Sequence, residues 1–422
     1  MNTGRSARLH AEALTLTPGG VSSPVRAFAP HPIAIDKAEG CRLTDIDGNV
    51  YTDLCMAYGP PVAGHACPAV VAAVREQIGR GGVYGAPSEP EYALIRRIRA
   101  SMPAMESVRL CGSGTEATMH AIRLARGCTG RDGIIKMEGG FHGAHDAVLV
   151  AAGSGSAQCT PGSRGVPAAA VGNTYSVGYN DLDAATRLLE AGGIACVIVE
   201  PVMGNVGTVL PERGYLQGLR KATEEHGALL VFDEVITGFR LAEGGAREVY
   251  GVTPDLATLG KAIGGGLPIG AFGGRRDLME NIAPAGDVYA AGTFAGNPVS
   301  AAAGLAQLEY MRADGRYARL NRTADAMVRG LGDVIADRGT QACVSAAGSM
   351  VSVFFGLDAV RDGAQAQRAD RQTYMELFRH MLGHGIYMPP SALETSFLSA
   401  AHTEAETAQV VEAFDGFLGA RR

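Results

Sequence analysis

Leu229-Leu-Val-Phe-Asp-Glu-Val-Ile-Thr-Gly-Phe-Arg240, with Leu259-Gly-Lys-Ala-Ile-Gly-Gly-Gly266 a short way on, decides the fold. The apolar run 228–232 has the length of a buried parallel strand, and a carboxylate, Asp233, ends it. A second short apolar run ends at Gly260, and Lys261 follows at once. Ligands of open α/β sheets bind outside the carboxyl ends of the strands, so Asp233 and Lys261 are expected to share one crevice.

Working outward, further strands are expected at 108–111, 134–136, 147–150 and 195–199, with helices between them. Pro68 and Pro90 open two of those helices. The alternation implies an α/β fold with a mostly parallel central sheet covered on both faces. Three parts are expected: an N-terminal segment with a small antiparallel lobe (1–58), a large α/β domain (59–302) and a C-terminal α+β domain (303–422). The first part has short strands around Asp47-Gly48, and the last has strands at 350–355 and 397–399. Residues 153–165 lack periodicity and read as a long functional loop.

Composition narrows the function classes. Hydrophobic residues make up 46% against 19% charged, enough for a large core, and the 58 glycines follow no repeat. A formal charge of −6 gives no general attraction for nucleic acid or an anionic membrane. No apolar run approaches the roughly 20 residues of a membrane helix, and the first residues lack the apolar core of a signal peptide. The eight cysteines form no C-x-x-C pair and read as reduced thiols. The expectation is a soluble, cytoplasmic enzyme.

Gly112-Ser-Gly-Thr-Glu-Ala117 lies between a strand and a helix, where glycines admit close approach and free N–H groups face an anion. A phosphate site, an acid able to keep a heteroaromatic nitrogen protonated and a lysine able to form a Schiff base are together what pyridoxal 5'-phosphate (PLP) requires. The same loop also fits G-x-G-x-x-A, with Glu138 at the spacing of a ribose-binding acid, so a nicotinamide-dependent dehydrogenase stands beside that reading. An ordinary helix start is a third reading, with Asp233 a cap and Lys261 a surface residue. His142 and His145 resemble a metal pair, but no acidic or cysteine ligands cluster near them, and no metal is expected.

Gly-Ser-Gly-Thr-Glu-Ala, Gly-Gly-Phe-His-Gly, Val-Glu-Pro, Phe-Asp-Glu-Val, Leu-Gly-Lys and Gly-Thr-Phe-Ala-Gly-Asn-Pro occur here in the order seen in class III, fold-type I PLP aminotransferases, and the chain resembles that family over nearly its whole length. Pro18-Gly-Gly-Val-Ser-Ser-Pro-Val-Arg-Ala-Phe28, Gly265-Gly-Leu-Pro-Ile-Gly-Ala-Phe-Gly-Gly-Arg-Arg276 and Pro390-Ser-Ala-Leu-Glu-Thr-Ser-Phe397 resemble its glutamate-1-semialdehyde aminomutase branch. The resemblance implies a seven-stranded-type sheet, a pyridoxal or pyridoxamine phosphate cofactor, a small amino or oxo acid substrate and a homodimer with shared sites. It makes Lys261 the Schiff-base lysine and proton shuttle, and Asp233 the partner of the pyridine nitrogen. Ser113, Gly114 and Thr115 would hold the phosphate, with Thr293 reaching it from the neighbouring subunit. Val235 and Phe141 would flank the ring and His142 would stand beside it. Ser23, Arg26, Tyr58, Ser154 and Glu394 would bind substrate, Arg26 through the carboxylate. The implied reaction converts glutamate 1-semialdehyde to 5-aminolevulinate through 4,5-diaminovalerate, with loop 153–165 as its gate. Phe141 stands where the family usually has tyrosine, and Tyr58 where tryptophan is common. A transaminase acting on another amino or oxo acid is therefore the alternative.

Overall fold

The computed structural model describes residues 2–150, 162–313 and 315–421. Its centre is a seven-stranded sheet of β1 (Ser107–Cys111), β2 (Gly133–Met137), β3 (Thr174–Val177), β4 (Ile194–Val199), β5 (Leu229–Asp233), β6 (Leu256–Leu259) and β7 (Gly270–Gly274). The spatial order is β1-β7-β6-β5-β4-β2-β3. Strand β7 runs antiparallel to both its neighbours, and the pairings from β6 through β3 are parallel.

Both faces of this sheet are covered, which is why the central strand β4 is apolar throughout and β5 is apolar up to Asp233. Ile134, Ile198 and Val231 point towards helix α1 (Gly114–Thr129), packing with Ala117, Ala121 and Leu124. Their alternates Ile135, Val197 and Phe232 face the helices Leu182–Glu190 and Tyr215–Glu225. The period of two thus assigns successive residues to opposite layers.

Three strand expectations differ from the structure, one being β3, Thr174–Val177, which is not expected from sequence. Residues 147–150 are not a strand: Asp146–Val148 is a single 3-10 turn. Strand β7 escaped notice because three of its five residues are glycine, which lowers strand propensity. The structure requires all three: a Cβ on Gly270 would lie 2.0 Å from the Ser113 carbonyl oxygen. A Cβ on Gly273 would lie 2.4 Å from the Ser107 carbonyl oxygen, and one on Gly274 would lie 2.1 Å from that of Asp255.

The N-terminal strands Ile35–Glu39, Arg42–Asp45 and Val50–Asp53 pair antiparallel, and Ile386–Tyr387 joins them in parallel, so this sheet draws on both ends of the chain. A third sheet comprises Ala342–Ala347, Met350–Phe355 and Ser396–Phe397. The helices Arg316–Arg338, Arg371–Gly383 and Glu404–Gly419 accompany it in the C-terminal part. Seven cysteines are described and all are free; Cys159 lies outside the described residues. No described helix is long and apolar enough to cross a membrane.

Candidate active site

The carboxyl ends of β1, β2, β4, β5 and β6 deliver the turn Gly112–Thr115, the turn 138–142, Glu200, Asp233 and Lys261 to one crevice. After β1, Ser113 caps α1, its Oγ accepting from the Glu116 amide at 3.2 Å. Gly114 is fixed by crowding: a Cβ there would come within 3.0 Å of Val235. The amide donors at the start of α1 therefore face a cavity of about 220 Å³, lined by Ser113, Gly114, Thr115, Asp233, Val235 and Lys261.

Asp233 is 3% exposed, and both its oxygens are engaged. Oδ1 accepts from the Val235 amide and the Thr258 hydroxyl, both at 3.1 Å. Oδ2 lies 2.7 Å from Nδ1 of the buried His142, which puts the imidazole proton on Nδ1. Nε2 of His142 is buried with no partner among the described residues. The carboxylate is thus held in one orientation at the cavity wall.

Lys261 opens the 3-10 turn Lys261–Gly264 with φ of 42°, a left-handed conformation that costs a non-glycine residue about 1–3 kcal/mol. Burial pushes its ammonium below the usual lysine range, opposed by the carboxylates Glu200, Glu394 and Asp233. Desolvation therefore favours the neutral, nucleophilic amine.

A second cavity of about 530 Å³ shares Lys261, Phe141, Asn205 and Ile236 with the first and adds Ser23, Tyr58, Lys136, Glu394 and Phe397. Phe141, 49% exposed, lines both. Its amide donates to Glu200 Oε1 at 2.9 Å, and the other oxygen of Glu200 accepts from the Gly204 amide at 3.1 Å and Asn205 Nδ2 at 2.9 Å. Burial raises the Glu200 carboxyl above its ordinary value. Glu200 thus ties the turn after β2 to the end of β4. From sequence, Lys136 is expected only as a strand residue and Asn205 has no expected role. For Lys136 a signal existed: a lysine directly after the apolar pair Ile134-Ile135 at a strand's carboxyl end.

The remaining predicted residues divide. Ser23, Tyr58 and Glu394 line the second cavity. Arg26 lines a neighbouring cavity of about 450 Å³ beneath the helix Gly4–Leu16, together with His10, Asp53 and His65. Tyr58 lines both cavities, and its hydroxyl donates to the Val25 carbonyl at 2.6 Å. Thr293 is exposed and lines a separate cavity with Gly112, Glu116 and Phe294. Ser154 and most of loop 153–165 lie outside the described residues. No cluster of three or more potential metal ligands occurs among the described residues.

Glu394 provides a pH prediction. Burial pushes its carboxyl up to about 7, against the lowering pull of Lys261, with Glu200 adding to the rise. A value raised on folding gives stability that is complete below the unfolded value and is lost as pH rises through about 7. In the cofactor-free protein, Glu394→Gln is expected to raise the melting temperature relative to wild type at pH 8 but not at pH 5. A difference independent of pH between those values contradicts the assignment.

A sequence profile of the family described as Aminotransferase class-III matches residues 25–414. The glutamate-1-semialdehyde 2,1-aminomutase of Archaeoglobus fulgidus is 51% identical, over 98% of this chain and 99% of its own. The protein of the same name from Methanothermobacter thermautotrophicus is 50% identical over 98% and 99%. Among solved structures, an omega-transaminase from Sphaerobacter thermophilus superposes with a TM-score of 0.93 at 32% identity, over 99% of this chain and 98% of its own. A glutamate-1-semialdehyde-aminomutase from Pseudomonas aeruginosa PAO1 in complex with PMP superposes with a TM-score of 0.90 at 26% identity, over 98% and 94%. The dehydrogenase reading falls: the strand order differs from the 3-2-1-4-5-6 of the dinucleotide fold.

Proposed function

Because the chain belongs to the class-III aminotransferases, PLP-dependent enzymes of fold type I, we propose that it converts glutamate 1-semialdehyde to 5-aminolevulinate, through 4,5-diaminovalerate. The observation that carries the reading is a buried lysine and a buried, oriented aspartate on one cavity, in a chain about half identical over its whole length to two glutamate-1-semialdehyde 2,1-aminomutases.

The residues fit the cofactor. The open helix start suits a phosphate, the fixed Asp233 suits a protonated ring nitrogen, and the cavity between them ends at an amine. PLP supplies an aldehyde carbon that takes up an amino group and a ring that withdraws electrons from the carbon attached to it. The chain's own groups do the rest. Ser113, Gly114 and Thr115 bind the phosphate, each charge-assisted hydrogen bond contributing roughly 1.5–3 kcal/mol. Asp233 would hold a proton on the ring nitrogen, and His142 fixes the orientation of its carboxylate. Val235 and Phe141, on the same cavity, would enclose the two ring faces. Lys261, its ammonium pushed below the usual lysine range by burial, would move a proton at Nζ to and from the substrate carbon.

Ser23, Tyr58 and Glu394 line the substrate space, and Arg26 meets the substrate carboxylate from the outer cavity. Nitrogen balances within the reaction: the aldehyde carbon gains an amino group and the neighbouring carbon gives one up, so no external donor is consumed. A homodimer belongs to the same reading, with Thr293 reaching the partner's phosphate site. The exposed Tyr289 and Phe294 beside it support such a contact. The three-part organisation and a cytoplasmic location complete it.

Purified holoenzyme given glutamate 1-semialdehyde alone is expected to release 5-aminolevulinate, identified by mass spectrometry. Turnover that requires an added amino donor and yields a different product contradicts the reading.

A further inference from the structure

Arg240 closes the stretch that follows β5, yet the chemistry above makes no use of it. Its side chain is fully buried, and its hydrogen-bond partners among the described residues are uncharged. Nη1 donates to the Ser349 hydroxyl at 2.9 Å and the Leu398 carbonyl at 3.0 Å, and Nη2 donates to the Gly59 carbonyl. The guanidinium carbon stands 4.8 Å from the centre of the Phe397 ring. Nε is buried without a partner among the described residues. Buried charges are ordinarily paired with an opposite charge, because desolvation is otherwise costly. Here carbonyl dipoles and a ring face replace the counter-ion. Burial pushes the guanidinium down to about 10, so it remains charged at neutral pH.

This cation lies behind the reacting lysine. Gly59, whose carbonyl it holds, packs against the Lys261 side chain: a Cβ on Gly59 would stand 3.4 Å from Cδ of Lys261 and 3.7 Å from the Phe397 ring. Phe397 lines the 530 Å³ cavity together with Lys261. Two positive charges this near disfavour one another, and the guanidinium is sealed from screening solvent. Burial is the main cause that lowers the Lys261 ammonium; Glu200, Glu394 and Asp233 pull it upward, and Arg240 acts with burial.

We propose that Arg240 is a positioning residue whose fixed positive charge acts through Lys261, opposing a second charge there and so keeping the amine ready to attack. The proposal rests on the reading of Lys261 as the reacting amine, and not on which semialdehyde is the substrate.

The test strips the full chain of cofactor and follows, across pH, the rate at which added PLP forms its visible chromophore. The midpoint of that profile reports the ionisation of the lysine. Arg240→Met removes the charge, and Arg240→Lys keeps it. The other groups facing Lys261 stay intact: Asp233, Glu200 and Glu394, with Lys136, His142 and Tyr58 on the same two cavities. In Arg240→Met the midpoint is expected to rise by about one pH unit, slowing loading roughly tenfold below it, while Arg240→Lys stays within about 0.3 unit of wild type. A purely structural role would lower the melting temperature of both variants and leave both midpoints in place. An unmoved midpoint in folded Arg240→Met, or an equal shift in Arg240→Lys, overturns the proposal. Should Arg240→Met not fold, Ser349→Asp decides, because it keeps Arg240 and sets a carboxylate beside the guanidinium. An upward shift there supports the proposal, and an unmoved midpoint overturns it. Chromophore formation that persists in Lys261→Ala overturns the underlying reading of the lysine instead. A chain that shows the expected shifts yet makes no 5-aminolevulinate overturns the substrate assignment and supports the role of Arg240.

Discussion

Lys261→Ala is expected to abolish turnover, lowering kcat by about 10³-fold or more, because one side chain provides both the nucleophilic amine and the proton carrier. The loss should not come from unfolding. The side chain lies on the cavity rather than in the packed core, and the core residues of β5 and β6 are untouched. The left-handed backbone at this position stays equally strained with alanine, so that cost does not change. Far-UV circular dichroism and the melting curve should remain close to wild type while product formation disappears. Turnover within tenfold of wild type would mean that another group is the reacting amine.

Asp233→Asn is the second large effect. Asparagine keeps the shape and can still accept from the Val235 amide and the Thr258 hydroxyl, but it carries no charge. Removing one member of a buried charged pair costs about 3–5 kcal/mol. If that loss falls on the transition state, kcat drops about 10²–10⁴-fold. His142 loses its charged partner at the same time, so the orientation of the new side chain is also less well fixed. The check is kcat in the cofactor-saturated variant; a loss smaller than tenfold contradicts the role given to the carboxylate.

How much was legible in the sequence follows from where each residue gets its position. Asp233 and Lys261 were readable because both stand at the carboxyl side of a short apolar run: Asp233 is the last residue of its strand, and Lys261 follows one glycine after the end of its own. The Gly112 turn was readable because its glycines answer a local demand for close approach. Strand β7 was not, since its glycines are set by backbones that lie far away in sequence. The bond between His142 and Asp233 spans 91 residues and exists only once β2 and β5 lie in one sheet with β4 between them. The likeness to known motifs named Arg26 and Glu394 alike, but the fold puts them on different cavities divided by Tyr58. That division depends on the segment Pro24–Arg26 and on left-handed backbone at Met56, Ala57 and Tyr58, none of which leaves a periodic trace in sequence.

The central claim is that the ε-amine of Lys261 joins covalently to the cofactor's aldehyde. Borohydride reduction of the PLP-loaded enzyme, followed by proteolysis and mass spectrometry, tests it most directly. The account predicts a single reduced pyridoxyl adduct on the peptide containing Lys261. An adduct on Lys136, the other lysine of the cavity, or a cofactor that washes away unattached after reduction, would contradict it.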